Sequence, residues 1–237
     1  MRAGMTEDER STYTLPCKPF ENEWHIERCS YDVAMDLILY YHYMHRRCPC
    51  SRAYVLINSA GGIDGVVTYG VPPSPTLLRG VCGDDEAQNV YELNRLWVRD
   101  TVPRNGESYL IAHTIRDLDK EIVVSFSDTS VGHVGYVYQA CNFLYCGQSA
   151  RFRDVRVKGH EGQHHATYAY GLSNAQVIEK FGADNVYFVD RPRKHRYVYF
   201  NASGSRKDYL RSRLRYKIQP YPKGDARRHD ISESYGY

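Results

Sequence analysis

The stretch Tyr91-Glu92-Leu93-Asn94-Arg95-Leu96-Trp97-Val98, followed by Asp100-Thr101-Val102-Pro103-Arg104-Asn105-Gly106-Glu107-Ser108, decides how this chain folds. Apolar residues on both faces of 91–98 predict a buried strand. Beyond the polar turn, Tyr109, Leu110, Ile111, Ile115 and Leu118 recur at helical spacing, which predicts an amphipathic helix with its apolar stripe inward. Glu121-Ile122-Val123-Val124-Ser125-Phe126-Ser127-Asp128 is β-branched and short, and reads as a second buried strand. Gly132-His133-Val134-Gly135 breaks it, and Tyr136 to Tyr145 reads as a second, aromatic-rich helix closed by Gly147. A right-handed crossover in this strand, helix, strand, helix order places the two strands as neighbours, parallel or splayed.

The turn that ends the first strand and opens the helix gathers unpaired backbone N–H groups at the positive end of a helix dipole. Arg104-Asn105-Gly106-Glu107-Ser108 supplies a cation, a small residue and a hydroxyl there, a set that suits a phosphate or pyrophosphate. An ordinary capped turn with Ser108 near the helix start has the same pattern. Asp128, at the end of the second strand, lies where open α/β sheets place ligands, or caps the turn that follows.

The 237 residues are 42% hydrophobic and 25% charged, values of a globular chain long enough for one substantial domain plus extensions. No apolar run approaches the roughly 18–20 residues that cross a bilayer, and the polar start lacks a signal pattern, so a cytoplasmic protein with no membrane partner is expected. Seven cysteines, an odd number, fit reduced thiols. The net charge of +3 hides an asymmetry: residues 191–237 carry 13 Lys and Arg against 4 Asp and Glu, leaving 18 against 24 in residues 1–190. A basic end on an acidic body points to nucleic acid, or merely solvates the chain.

Residues 1–15 read as a polar, frayed end, and Cys17 to Ile26 as an edge strand or arm. Tyr31 to Tyr43 has a helical period with Asp32 near its start, and delivers His42-Tyr43-Met44-His45-Arg46-Arg47-Cys48-Pro49-Cys50 into one loop. That loop reads as a solvated basic turn, as a metal site through its His and Cys residues, or as an active-site rim with His42 as acid or base. Residues 53–57 and 63–70 flank Asn58-Ser59-Ala60-Gly61-Gly62 as a hairpin, and Gly80 to Asn89 reads as an acidic surface loop. Arg151 to Lys158 alternates as a half-exposed basic strand. The His160, His164 and His165 loop is a flexible turn or a metal site, and Ser173 to Gly182 a capped helix. Residues 186–189 and 197–200 read as a hairpin whose tip carries Arg193 and Lys194. Residues 210–221 interleave Arg211, Arg213 and Arg215 with aromatic rings as a DNA-contact strip. Tyr138, Gln139, Asn142 and Tyr145, at helical spacing, share a face toward a cleft or pack a core.

Glu92-Leu93-Asn94-Arg95-Leu96, Pro103 to Ser108, Ser127-Asp128, Gly132-His133-Val134-Gly135, Tyr138-Gln139-Ala140, Asn142-Phe143 and Tyr145-Cys146-Gly147 together resemble the Mom family of bacteriophage DNA-modification proteins. The resemblance spans residues 40 to 150. Because that family is similar to the GNAT acyltransferases, it implies a GNAT-like α/β fold, a mixed, mostly antiparallel twisted sheet flanked by helices. Residues 1–190 would form the catalytic domain, and residues 191–237 a basic hairpin and tail packed on it. It implies an acetyl-CoA or related CoA donor bound at Arg104, Asn105, Gly106, Glu107 and Ser108, although Arg104 precedes Gly106 by only two positions here. It also implies His42, Tyr43, Asp128 and Tyr138 around the acceptor.

The implied function is a transferase acting on double-stranded DNA, with Arg46, Arg47, Arg193, Lys194, Arg211, Arg213 and Arg215 as DNA contacts. Adenine N6 would become a carbamoylmethyl derivative that hides viral DNA from host restriction, in the host cytoplasm, with the chain a monomer or a homodimer. Acyl transfer alone gives an amide, so a further donor, rearrangement or metal step is required. Iron through His and acidic groups is one option, though no His-x-Asp facial motif is present. A CoA-dependent acetyltransferase of a small amine or protein, and a non-catalytic DNA-binding protein on the same fold, are the alternatives.

Overall fold

The computed structural model describes Phe20, residues 23–163 and residues 224 and below from 165. The polar start, His164 and the last thirteen residues of the basic tail lie outside the described residues. Strand β1 (Trp24–Arg28) precedes helix α1 (Tyr31–Tyr41), which Ser30 caps by accepting from the Val33 amide. The expected hairpin is β2 (Arg52–Asn58) and β3 (Ile63–Gly70), joined by a turn that Asn58 closes with its side chain on the Ala60 and Gly62 amides. Helix α2 (Pro75–Cys82) and a 3-10 turn (Asp84–Asn89) lead into β4 (Val90–Val98). Helix α3 (Gly106–Thr114), β5 (Ile122–Asp128), the short helix α4 (Tyr136–Ala140) and β6 (Leu144–Gln148) follow. Strand β7 (Phe152–Val157), helices α5 (His165–Ala169) and α6 (Asn174–Phe181), β8 (Val186–Arg191), β9 (Lys194–Phe200) and α7 (Gly204–Arg213) complete the chain.

Among the described residues, seven strands form one sheet in the order β1-β2-β3-β4-β5-β9-β6, with only the β4–β5 pair parallel. This is the mixed, mostly antiparallel arrangement that the family resemblance implies. Residue alternation sends Tyr91, Leu93, Val123 and Tyr197 to one face, where Leu110, Ile111 and Ile115 of the α3 segment cover them. Val90, Ile122, Val124, Val198 and Phe200 point to the other face, under Val81 and Cys82 of α2 and Leu210 of α7. Helix α1 covers Ala53, Val55, Val66 and Trp97 beside them.

The feature that positions the site is a parting of strands. β4 and β5 pair from Val90↔Ile122 to Leu93↔Ser125 and no further, although both continue toward Val98 and Asp128. Against β3 the register of β4 slips, with Tyr69 opposite Leu93 and Thr68 opposite Arg95, so Asn94 is an extra residue. Such a bulge bends its strand, here away from β5. The Asn94 side chain holds the bend by donating to the Pro49 carbonyl at 2.6 Å and accepting from Thr68 Oγ1 at 2.6 Å.

Four expectations are corrected. The helix expected over residues 136–145 stops at Ala140, because Asn142 takes a left-handed conformation (φ 60°) that turns the chain into β6. Tyr145 and Gly147 therefore belong to a strand, and Tyr145 does not share a helical face with Tyr138. The expected acidic loop of residues 80–89 is mostly helical, with Glu86 buried by its pairing to Arg206 at 2.8 Å. The expected hairpin of residues 186–200 does not form: β8 pairs with β7 in a separate two-stranded sheet, while β9 lies in the main sheet between β5 and β6. Arg191-Pro192-Arg193 is thus a crossing between two sheets.

Candidate active site between the parted strands

The gap beyond Leu93 and Ser125 collects polar side chains from five segments. His42, the C-cap of α1, is 5% exposed and keeps its amide on the Ile38 carbonyl. Its Nδ1 accepts the Met44 amide at 3.1 Å, so the neutral ring carries its proton on Nε2. Burial pushes its pKa down to about 3, helped by the charges of Arg95, His45 and His133. His42 at neutral pH is an uncharged N–H donor.

Tyr43 stacks on His42 with ring centroids 4.5 Å apart and meets the His133 ring edge-on at 6.0 Å. Burial raises its phenol pKa and the Asp128 charge adds to the effect, against Arg95. Tyr138, from α4, is buried against Phe143 and Tyr197 at 5.5 and 5.2 Å, and burial pushes its hydroxyl up to about 12. Both tyrosines stay protonated at physiological pH and can donate. Gly135 makes this packing possible: its φ is +76°, and a Cβ there would stand 2.6 Å from the Tyr197 ring.

Asp128 caps the turn that follows it, one of the two sequence readings. Its Oδ1 accepts from the Ser130 amide at 2.9 Å and hydroxyl at 2.6 Å, capping the following 3-10 turn (Thr129–Val131). Its Oδ2 faces Lys194 Nζ at 3.7 Å. Burial alone would raise this carboxyl, but the Ser130 hydrogen bonds with Lys194 and His133 outweigh it and hold it below the usual range. Asp128 is a fixed anion, suited to orienting a donor rather than to taking a proton.

Two residues that sequence reasoning leaves without a role complete the gap. Glu92 and Arg95 flank the Asn94 bulge, and Glu92 is half-buried with no described residue donating to its carboxylate. Burial raises its pKa above the ordinary glutamate value, and Lys194 and Arg95 offset this only in part. A carboxylate with a raised pKa in a cleft is a candidate proton acceptor. Arg95 donates to the Asn94 carbonyl at 2.6 Å, while its buried Nε has no hydrogen-bond partner in the structure. The signal for both was two charged side chains inside an otherwise buried strand, where each must be paired or used.

The residues expected to hold a donor lie just after β4. Asn105 is the N-cap of α3 in a left-handed conformation (φ 78°) and makes no side-chain cap, so the first-turn amides of α3 keep no side-chain acceptor from it. Gly106 is buried against Val102, where a Cβ would approach to 2.6 Å, and this pins the loop to the end of β4. Ser108 donates to the Asn105 carbonyl at 3.0 Å and does not cap the helix. Arg104 is exposed beside it. The Gly106 amide donates to the Pro103 carbonyl at 3.2 Å, and the next first-turn amides with the exposed Arg104 fit a phosphate group, although Glu107 competes for the same dipole.

The seven residues expected on DNA do not form one surface. Arg46 and Arg47 are exposed in the loop that follows His42, and Lys194 is in the gap itself. Arg193 is held by the Ser149 carbonyl at 2.6 Å. Arg213 pairs with Asp85 at 3.2 Å, and Arg215 donates to the Arg79 carbonyl at 3.4 Å. Asp85 lies in the turn that leads into the start of β4, whereas Asp128 ends the parallel strand β5, so this part of the tail and the gap lie at opposite ends of the strand pair. Arg211 is exposed on the same helix as Arg213.

Among the described residues, no group of three or more His, Cys, Asp or Glu side chains is arranged to hold a metal ion. The ligand set that iron needs is not formed by them, and no step of the chemistry is assigned to it. No described helix is long and apolar enough to cross a membrane.

A model of the Mom protein family matches residues 23–223. The methylcarbamoylase Mom of Escherichia phage Mu is 30% identical over 216 residues, which cover 85% of this chain and 84% of that protein. Similar solved structures include a GNAT-family acetyltransferase from Bacillus cereus, 14% identical, covering 76% of this chain and 99% of that one, with a TM-score of 0.42. A Bacillus subtilis acetyltransferase in complex with CoA is 13% identical over 75% of this chain and 99% of that one, with a TM-score of 0.41. Given the extent of the family match and of the phage Mu relative, the chain belongs to the Mom protein family.

Proposed function

We propose that the chain is a transferase that modifies the N6 amine of adenine in double-stranded DNA to a carbamoylmethyl derivative, in the cytoplasm of the infected host, and so protects phage DNA from restriction. Family membership supports the type of reaction. The observation that carries the assignment to a site is that the Arg95 charge acts both on Glu92, a carboxylate with a raised pKa, and on the neutral His42, where β4 and β5 part.

An exocyclic amine must lose a proton as its nitrogen forms a new bond, and Glu92 is the base placed for it. His42 Nε2–H and the hydroxyls of Tyr43 and Tyr138 are donors for ring nitrogens of the purine or for charge that develops on the transferred group. Asp128, held ionised by Ser130 and Lys194, orients the amine by accepting its second hydrogen. Arg104 and the first-turn amides of Glu107 and Ser108, with the Gly106 backbone allowing close approach, would hold the phosphates of a CoA-type donor. When bound it would supply an acyl group with the CoA thiol as leaving group, and the N6–CH2 bond and carbamoyl nitrogen of the product would need a further donor. Arg46 and Arg47 extend the gap with cations for the DNA backbone.

The test is mass spectrometry of nucleosides from plasmid DNA after expression of the chain. A new, heavier deoxyadenosine derivative is expected. Unshifted deoxyadenosine with the wild-type chain overturns the reading.

A further inference from the structure

Between β6 and β9 the chain builds a second small unit. Strands β7 and β8 pair as an antiparallel ribbon over a core of Val155, Val157, Tyr168 and Val177. Its two ends are tied together at the rim of the gap. The Ser149 amide donates to the Lys194 carbonyl at 2.8 Å, and the Lys194 amide donates to Ser149 Oγ at 2.9 Å. Lys194 is the residue whose Nζ faces Asp128.

Phe152 opens the ribbon three positions after Ser149, and its register partner Arg191 lies three positions before Lys194. Three residues span about 10 Å at most, so the Phe152 backbone lies within that distance of the Ser149–Lys194 tie at the rim of the gap. Phe152 is 59% exposed. A core residue would be covered, since burying a Phe ring is favourable by about 2 kcal/mol. Here the ring is held out and fixed in orientation: the Arg191 guanidinium lies over it at 4.8 Å and is itself held by Asp154. Arg151 and Arg153, on either side of Phe152, are exposed cations, of which Arg153 pairs with the exposed Asp190 at 3.2 Å.

An adenine paired inside a duplex cannot reach Glu92, so it must leave the stack, and the vacated space costs unstacking energy unless something fills it. A rigid apolar side chain beside the receiving pocket, flanked by cations for the phosphates, has the chemistry to fill it. We propose that Phe152 is the wedge that enters the duplex in place of the extruded adenine, with Arg191 holding its ring and Arg151 and Arg153 on the backbone. This rests on the adenine reading above. The wedge makes the ribbon, and not the tail cations Arg213 and Arg215, the element that docks on double-stranded DNA.

The experiment uses Phe152→Ala and Phe152→Trp in the full chain, with duplexes taken from sites that the wild-type chain modifies in plasmid DNA and carrying 2-aminopurine at the target position. Wild type and Phe152→Trp should raise the fluorescence of the paired probe, and Phe152→Ala should lose about tenfold or more of that rise and of the plasmid modification. Placed opposite an abasic site, where little stacking holds it, the probe should respond to all three alike. An equal response of Phe152→Ala on the paired probe overturns the wedge and leaves the adenine reading intact. Equal losses on both probes also overturn it, since they would mark a general binding residue. A wild-type chain that modifies no plasmid site removes the adenine reading, and the wedge with it.

Discussion

The Met44 amide donates to Nδ1 of His42 at 3.1 Å, and this one bond fixes which imidazole nitrogen faces the gap as a donor. A histidine in such a site is usually taken for a base. Here the acceptor nitrogen is already used, and the ring resists a proton down to about pH 3.

His42→Gln should therefore retain activity within about tenfold, because an amide also donates, whereas His42→Ala should lose about 100-fold. The linkage has a definite sign. The folded pKa lies below the unfolded value of 6.5, so the unfolded chain binds more protons between the two, and stability falls as pH drops through that window. Unfolding free energies from urea titrations at pH 6.5 and 5 should differ by about 2 kcal/mol more in wild type than in His42→Gln. Equal slopes would show that His42 is not held neutral.

Glu92 carries the opposite consequence. Its folded pKa lies above the ordinary glutamate value of 4.5, so its ionised form is disfavoured by folding and costs stability at neutral pH. Glu92→Gln should abolish at least about 100-fold of the activity while raising the melting temperature at pH 7. The gain should vanish as the pH falls toward 4.5, where the wild-type side chain takes up its proton. A variant that is both inactive and less stable would indicate a structural role instead.

Arg206 fastens the tail helix. It bridges Glu86 at 2.8 Å and Glu121 at 2.6 Å, tying α7 to the starts of β4 and β5. Arg206→Met leaves two carboxylates facing each other, one of them buried, and should cost about 2 kcal/mol. Because the guanidinium is partly exposed, the loss should shrink in high salt. Chemical denaturation at two ionic strengths measures it, and an unchanged midpoint would show that the tail is held by its apolar contacts alone.

Arg46 and Arg47 are the exposed cations nearest in sequence to His42. Changing both to Ala should reduce the slope of log affinity against log salt by about 2 on duplex DNA, at roughly 0.9 per phosphate contact. Changing Arg213 and Arg215, which are engaged by Asp85 and by the Arg79 carbonyl, should lower the melting temperature more than the slope. Titrations at several salt concentrations separate the two sets, and the reverse pattern would place DNA on the tail.

Much of the fold was legible because its signals are local. The period-2 and period-3.6 patterns locate β4, α3 and β5, Asp32 marks the start of α1, and Ser173 and Gly182 mark helix ends through hydrogen bonds within a few residues. The family resemblance drew His42, Tyr43, Asp128 and Tyr138 from three distant segments, and the structure brings them to one gap. What failed was strand pairing. Val186–Val189 and Tyr197–Phe200 each read as strands, but nothing local says that their partners are β7 and β5.

By itself, then, the order of residues determined where backbone hydrogen bonds close over short range, and hence which segments are helix or strand. Tertiary structure alone decided that β4 and β5 part after Leu93 and Ser125, since that depends on an extra residue, Asn94, measured against β3. The parting leaves Arg95 facing a gap instead of a neighbouring strand, and Glu92, still paired to Val124, stands at the edge of that gap. A charge in a strand becomes chemistry only when the fold withholds both its partner and its water.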